Sequence, residues 1–349
     1  MKPLSIPHRP RSPAASLLLP ICLLATLLAF LAFPARCLAY VADGISLWAT
    51  SVLPAALPFL FLTGLLTGTP LFLRLSARAA PLFRPFGVPG QGGCAAMLSL
   101  LSGYPAGAKA VERLCARTPL SPAERFRCAC LATTSGPAFL VGVAGTAMAG
   151  SPALGWLLFG AHVIGIFAIA LVLGRGHRRT RHIDKRTYRD YGLAQNDDRR
   201  ARFAKQHAQR EENACAFKPI PLSQALPETL ASSVLAVLTV GGAVALFYAF
   251  GRILTDVLSP LALPKPLTAF LAGLLEMTAG CAGLLSEPTP LRLALAAFLV
   301  TFGGLCVLVQ QWSFLAKIGI PFAKFLLVKL CQAVLAGGVC FLFAVFVQS

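Results

Sequence analysis

Long apolar runs separated by short basic stretches set the pattern of the chain. Residues 16–33, 152–173, 228–250 and 325–347 are each nearly free of charge and long enough for a helix to cross the ~30 Å hydrocarbon core of a bilayer. Residues 45–68 form a similar run that carries Pro54 and Pro58. Two further runs are interrupted: 128–149 at Ser135-Gly136-Pro137, and 293–314 at Gly303-Gly304. Two others are only weakly hydrophobic. The first, 90–108, is broken by Gly90, Gly92, Gly93, Gly103, Pro105 and Gly107, and the second, 267–285, contains Glu276. Alternating basic and apolar residues in 71–78 predict a short helix lying in the interface plane, and 251–261 is a short amphipathic piece in the second half.

The polar stretches divide the chain. Residues 1–15 are basic and proline-rich, and with 16–33 they form either a signal peptide or a first membrane helix. Pro34-Ala35-Arg36-Cys37 is a poor cleavage site, so a retained helix over 1–40 with its N-terminus inside is expected. Residues 174–220 hold 13 Lys and Arg and 6 Asp and Glu with no sustained period, the mark of a solvated loop. The expected organisation is a first repeat over 41–173, a basic cytoplasmic loop over 174–221 and a second repeat over 222–349.

Composition supports the membrane reading. Of 349 residues only 13% are charged, against about a quarter in soluble domains. The net charge of +18 would suggest a nucleic-acid partner in a soluble protein, but here it reports which loops face the cytoplasm, and no nucleic acid is expected. Eleven cysteines show no CxxC or Cys/His ligand spacing, so neither metal nor cofactor is expected. No nucleophile–base pair or phosphate loop is present, which speaks against an enzyme.

Charge position also predicts topology. If 90–108 crossed the membrane, Lys109, Arg113, Arg117, Arg125 and Arg127 would be translocated, against the positive-inside rule. Both weak segments are therefore expected as re-entrant hairpins, giving an all-α polytopic protein with about seven crossings plus two hairpins. The N-terminus and the 174–221 loop lie inside and the C-terminus outside. The halves share short sequences in the same order: Leu101 to Gly107 against Leu274 to Gly280, and Thr134-Ser135-Gly136 against Thr301-Phe302-Gly303. Three crossings and one hairpin per half make the repeats inverted, each with one broken helix. That is the pattern of secondary transporters with a site near the bilayer midplane. Irregular backbone inside a membrane is tolerated only against protein, water or substrate, so the breaks are where a solute is expected.

The candidate binding residues follow from this. Ser102, Gly103, Tyr104, Pro105 and Gly107 break the first hairpin and expose backbone amides, while Lys109 adds a cation. Thr134, Ser135 and Gly136 form the companion break, with Thr133 beside them. Glu276 is the one acid in the middle of an apolar element and needs a partner or a task, with Thr278 next to it. It is a candidate for coupling H⁺ or Na⁺, for holding the solute, or for a purely structural pairing with a lysine or backbone amide. Gly303 and Gln310 complete the set, and Gln311 stands next to Gln310. His162, on an otherwise apolar helix, reads as a packed, hydrogen-bonded residue before a proton relay.

Several of these segments resemble a known family. Leu47-Trp48, Leu53-Pro54 through Pro58-Phe59, the string from Ser102 to Lys109, and Thr134 to Pro137 are similar to the sporulation integral membrane protein YlbJ family. In the second half, Gly273 to Thr278 and Gly303-Gly304-Leu305 onward agree. That family belongs to the nucleoside-recognition Gate membrane proteins, relatives of concentrative nucleoside transporters. The resemblance covers about 47–330 and marks 174–220 as an insertion. It implies a role in bacterial spore formation and movement of a small polar or anionic solute, with dipicolinate a candidate. It also leaves open a nucleoside transporter, or a non-transporting scaffold that works with other spore-envelope membrane proteins. A homo-oligomer is compatible with either role. Met277 and Cys281, bulky or soft residues in the second hairpin, depart from the family's pattern.

Overall fold

In the computed structural model, residues 13–67, 81–117, 120–190 and 222–348 are described, with scattered positions between 69 and 78. Among the described residues every regular element is helical. Most of the expected interfacial piece at 71–78, and residues 191–221 of the loop, lie outside the described residues.

The chain enters as α1 (Pro13–Ala32) and turns by 108° at Phe33. It continues as α2 (Pro34–Leu47), a π-helical stretch (Trp48–Val52) and α3 (Leu53–Thr67). The second helix thus starts at Pro34, well before the apolar run at 45. Proline at the first turn suits a helix start because its missing N–H would have no partner there.

The first interrupted pair is α4 (Gly90–Ser102) and α5 (Tyr104–Arg117). A second pair is α6 (Pro122–Leu131) and a π-helical stretch (Ala138–Met148), and α7 (Pro152–Asp190) follows. The second half opens with α8 (Leu222–Leu258), then α9 (Lys265–Leu275) and α10 (Met277–Leu285). It closes with α11 (Pro290–Phe302), α12 (Gly304–Leu315) and α13 (Phe322–Gln348).

Two expectations are corrected. The 251–261 piece is not separate, because α8 runs unbroken through Arg252 and Asp256 to Leu258. The polar positions there sit on one continuous helix, with nothing in their sequence to break it. The helix ending at 173 instead continues as α7 to Asp190, since Arg and His are tolerated in a helix once it leaves the apolar layer.

The two halves use the same punctuation at the same places. Gly87, in the left-handed region at φ 65°, precedes Val88-Pro89 and the start of α4. Ala262, at φ 45°, precedes Leu263-Pro264 and the start of α9. Gly150 (φ 67°) stands two residues before Pro152 of α7, and Gly319 (φ 72°) two residues before Pro321, where α13 opens. Between them, α6 and α11 each begin with a hydroxyl cap followed by proline: Ser121-Pro122 and Thr289-Pro290. The left-handed residue reverses the chain and proline cannot prolong the preceding helix, so each pair marks a sharp stop and restart.

Both interrupted pairs α4/α5 and α9/α10 fold back on themselves. A Cβ on Gly107 would lie 2.4 Å from Ser99 Oγ, and one on Gly280 would lie 2.4 Å from Gly273 Cα, so the two arms touch on either side of each break. At 11 residues α9 is ~16 Å long, about half a bilayer core.

Among the described residues four helices are long and apolar enough to cross a membrane: Pro152–Arg175, Ser223–Leu261, Pro290–Ile318 and Phe322–Phe346. The bent pair Leu24–Ala32 with Pro34–Val52 makes a fifth if it is one span. Outward faces carry Leu31, Trp156, Leu235, Val257 and Phe346, all exposed, as lipid-facing helices require.

Two clusters of charge stand out among the described residues. Around the first hairpin's open end, Lys317 pairs with Glu112 at 3.0 Å, Arg125 donates to the Ile318 carbonyl at 3.1 Å, and Arg127 donates to the Gly87 carbonyl at 2.8 Å. The other group is Arg36 and Tyr40 of α2 with Arg252 and Asp256 of α8. The long helices α7 and α13 cross where a Cβ on Gly165 would lie 2.8 Å from the Gln332 carbonyl and 2.9 Å from Ala336 Cβ.

Candidate functional site

Each fold-back pair leans on a break in the following element. Gly103 adopts φ 87°, ψ −173°, a region essentially reserved for glycine. A Cβ on Gly136 would approach the Leu101 carbonyl at 3.0 Å and Gly103 N at 3.4 Å. In the second half Gly303 (φ 91°) and Gly304 (φ 63°) are both left-handed, and a Cβ on Gly304 would approach the Gly273 carbonyl at 2.9 Å and Met277 N at 3.3 Å. Backbone therefore packs on backbone at both places, and only glycine leaves room.

Three of these breaks line one cavity of about 100 Å³, and the fourth, at Gly303-Gly304, packs against the third. Ser102, Gly103 and Tyr104 come from the first fold-back, and Ser135 and Gly136 from its companion break. Glu276, Met277 and Thr278 come from the second fold-back, with Val307 and Gln310 from α12. Phe59 of α3, Phe139, and Val237, Val240 and Val244 of α8 supply apolar wall. A mostly apolar chamber with a few convergent polar groups is the usual make-up of a small-molecule site.

Eight of the sequence-derived candidates line this chamber: Ser102, Gly103, Tyr104, Ser135, Gly136, Glu276, Thr278 and Gln310. Gly107, Thr134, Lys109 and Gly303 do not, and the side chain of Pro105 lies outside the described residues. Gly107 is a packing position, since a Cβ there would lie 1.8 Å from the Ala132 carbonyl. The Thr134 hydroxyl and N–H bond Ser99 Oγ at 2.9 and 3.0 Å. Lys109 is half-buried on α5, outside the lining. Gly303 abuts Val307.

Glu276 is buried and caps α10. Its Oε1 accepts from Thr278 N–H at 3.0 Å and its Oε2 from Ala279 N–H at 2.7 Å. The carboxylate thus meets two helix-terminal amides that lack intrahelical partners. Its backbone is extended (φ −133°, ψ 108°), which makes the break without glycine.

His162 ties the halves together. Its Nε2 accepts the Ser135 N–H at 2.9 Å, and its Nδ1 meets Thr301 Oγ1 at 2.9 Å. Thr301 Oγ1 already donates to the Ala297 carbonyl at 2.7 Å, so Nδ1 carries the proton. The expectation of a packed, hydrogen-bonded histidine is met.

The sequence reading missed one residue of consequence. Lys329, near the start of the last helix, did not stand out in the sequence, yet it is completely buried. Its Nζ donates to the Thr133 carbonyl at 2.6 Å and stands 5.7 Å from the centroid of the Tyr104 ring. One turn on, Gln332 Nε2 donates to the Cys130 carbonyl at 3.1 Å. The two side chains satisfy carbonyls freed where α6 ends, and a cation there complements the helix dipole. The available signal was their spacing, which puts both on one helix face. Among the described residues no group of three or more His, Cys, Asp or Glu side chains comes together as a metal site.

The chain is 32% identical over 315 residues to the sporulation integral membrane protein YlbJ of Bacillus subtilis (strain 168), covering 84% of this chain and 74% of that protein. The chain belongs to the YlbJ family. As a YlbJ-family member it is an integral membrane protein, consistent with its apolar helices. No family model matches the chain, and no solved structure matches it.

Proposed function

We propose that this YlbJ-family chain is a multi-pass secondary transporter of a small polar or anionic solute, acting in spore formation, and not an enzyme. The observation that carries this reading is that helix breaks from both halves, at Gly103, Gly136 and Glu276, line one chamber, with the break at Gly303-Gly304 packed against the third. The repeated punctuation supports two inverted repeats, with the fold-back pairs as re-entrant hairpins entering from opposite sides. The cluster of Arg125, Arg127 and Lys317 supports placing that end in the cytoplasm. Rocking of one repeat against the other would then open the chamber to each side in turn.

Dipicolinate is the anionic candidate, and Tyr104, Ser135 and Gln310 are suited to bind its carboxylates. One observation favours a second, neutral solute such as a nucleoside. Glu276 is the ionisable carboxylate in the lining, and no Lys or Arg side chain lines the chamber. A dianion would therefore bind beside a like charge unless a proton accompanies it.

Uptake of labelled dipicolinate and labelled uridine into liposomes holding the purified chain tests both. Accumulation of either, lost in Glu276→Gln, is expected. If neither solute moves and spores carrying Glu276→Gln are normal, the transport reading fails. A chain lacking residues 192–220 should still transport, whereas a scaffold docking partners through the basic loop would lose its role.

A further inference from the structure

Lys329 is a charged side chain with no exposure, set between the two halves and behind the chamber wall. It lies on α13 of the second half, but its hydrogen bond goes to Thr133 in the break of the first. Its other partner is the Tyr104 ring, at the tip of the first fold-back pair, and that residue lines the chamber. Among the described residues no carboxylate pairs with it. Cys130 of α6 and His162 of α7 are the further titratable groups within its electrostatic reach. On α11, the only charged residue is Arg292, which sits at the far end and pairs with Glu287 at 2.6 Å. Along α13 itself, Lys324 lies nearer the surface and Cys331 is exposed.

An ammonium in this position is balanced by one carbonyl and one aromatic face alone. Withdraw either and a buried charge is left unpaired, which proteins avoid by losing the proton or wetting the site. Both partners belong to parts that must move if the chamber changes sides: the Thr133 carbonyl is at a break, and Tyr104 is at a fold-back tip. Gln332 Oε1, one turn away, is buried without a hydrogen bond, an acceptor suited to a water molecule.

We propose that Lys329 carries the proton that couples solute movement through this chamber. It rests on the transporter reading above. In the conformation described, Lys329 Nζ is protonated and seated on Thr133. When the break moves, Nζ releases its proton to water on one side of the membrane and takes one from water on the other as it reseats. The built-in ammonium also fills the place at the Thr133 carbonyl that a sodium ion would need there.

Two transport assays on the full-length chain in liposomes separate the outcomes. Exchange of labelled dipicolinate or uridine without any gradient reports the chamber alone. Accumulation driven by an imposed pH gradient reports coupling. Wild-type chain is expected to do both without sodium, and a dye trapped in the lumen should report protons moving with solute. In Lys329→Gln, exchange should persist while pH-driven accumulation falls to the level of empty liposomes. Lys329→Arg, which keeps the charge but does not release its proton, should behave the same way and serves if the neutral variant fails to fold. Retained pH-driven accumulation in either folded variant overturns the proposal. So does wild-type accumulation driven by a sodium gradient with no pH gradient, a measurement that needs no variant. Failure of the wild type even to exchange overturns the transporter reading itself, and the coupling role falls with it.

Discussion

His162 donates from Nδ1 to Thr301 Oγ1 across 2.9 Å, joining α7 of the first half to the end of α11 in the second. Its other nitrogen holds the Ser135 N–H inside the first break. Truncation to alanine leaves the buried Ser135 N–H unpaired and Thr301 without its donor, costing about 2–4 kcal/mol in all. His162→Ala should therefore lower the unfolding temperature in detergent, and His162→Gln, which can still accept and donate, should recover part of the loss. Equal unfolding temperatures for wild type and His162→Ala would refute the bridging role.

Gly107 and Gly160 give opposite expectations for the same substitution. A Cβ on Gly107 meets the Ala132 carbonyl at 1.8 Å, whereas nothing lies within 4 Å of one on Gly160. Gly107→Ala must push the first fold-back pair off its companion break and should cost several kcal/mol, about 3 or more. Gly160→Ala removes a flexible residue from a helix and should be neutral or stabilising by about 0.5–1 kcal/mol. Expression and thermal unfolding of the two variants side by side decide the matter.

Tyr104 is buried, and its hydroxyl makes no hydrogen bond of good geometry, although the Ser135 side chain stands beside it. Tyr104→Phe should leave stability unchanged within about 1 kcal/mol while keeping the aromatic face against Lys329. Solute affinity should fall if the hydroxyl meets the solute. An unchanged concentration dependence of uptake would show that it does not.

Glu276 combines a cap with a place in the lining. Glu276→Ala loses both and should destabilise by about 1–2 kcal/mol. Glu276→Gln keeps one accepting oxygen for the α10 amides, so its unfolding temperature should lie between those of wild type and alanine. A glutamine variant as stable as wild type and fully active in uptake would reduce the carboxylate to a capping group.

How much of this was legible in the sequence depended on the kind of signal. Glycine and proline inside apolar runs located the breaks at Gly103, Gly136 and Gly303, because such residues disturb a helix wherever it packs. Glu276 stood out because an acid in an apolar run demands compensation, though not which amides would supply it. Arg252 and Asp256 misled, since polar residues on one face look like a boundary until the helix on either side is seen to continue. Lys329 was hidden by its neighbours. Lys317 and Lys324 nearby are accessible, and only packing against α6 and Tyr104 shows that the third lysine points inward. The punctuation Gly87-Val88-Pro89, Gly150-Ser151-Pro152, Ala262-Leu263-Pro264 and Gly319-Ile320-Pro321 was visible in the letters, but its meaning depends on the left-handed backbone at its first residue.

The crossing of α7 and α13 at Gly165 bears on how the two halves would move in the proposed transport cycle. Backbone meets backbone there at a distance that admits no extra carbon, so the helices cannot slide without a clash. In that cycle the contact would serve as a fulcrum. A few degrees of tilt about it would separate helix ends on one face of the molecule while closing those on the other, and a bulkier residue at 165 would jam the lever without touching the chamber.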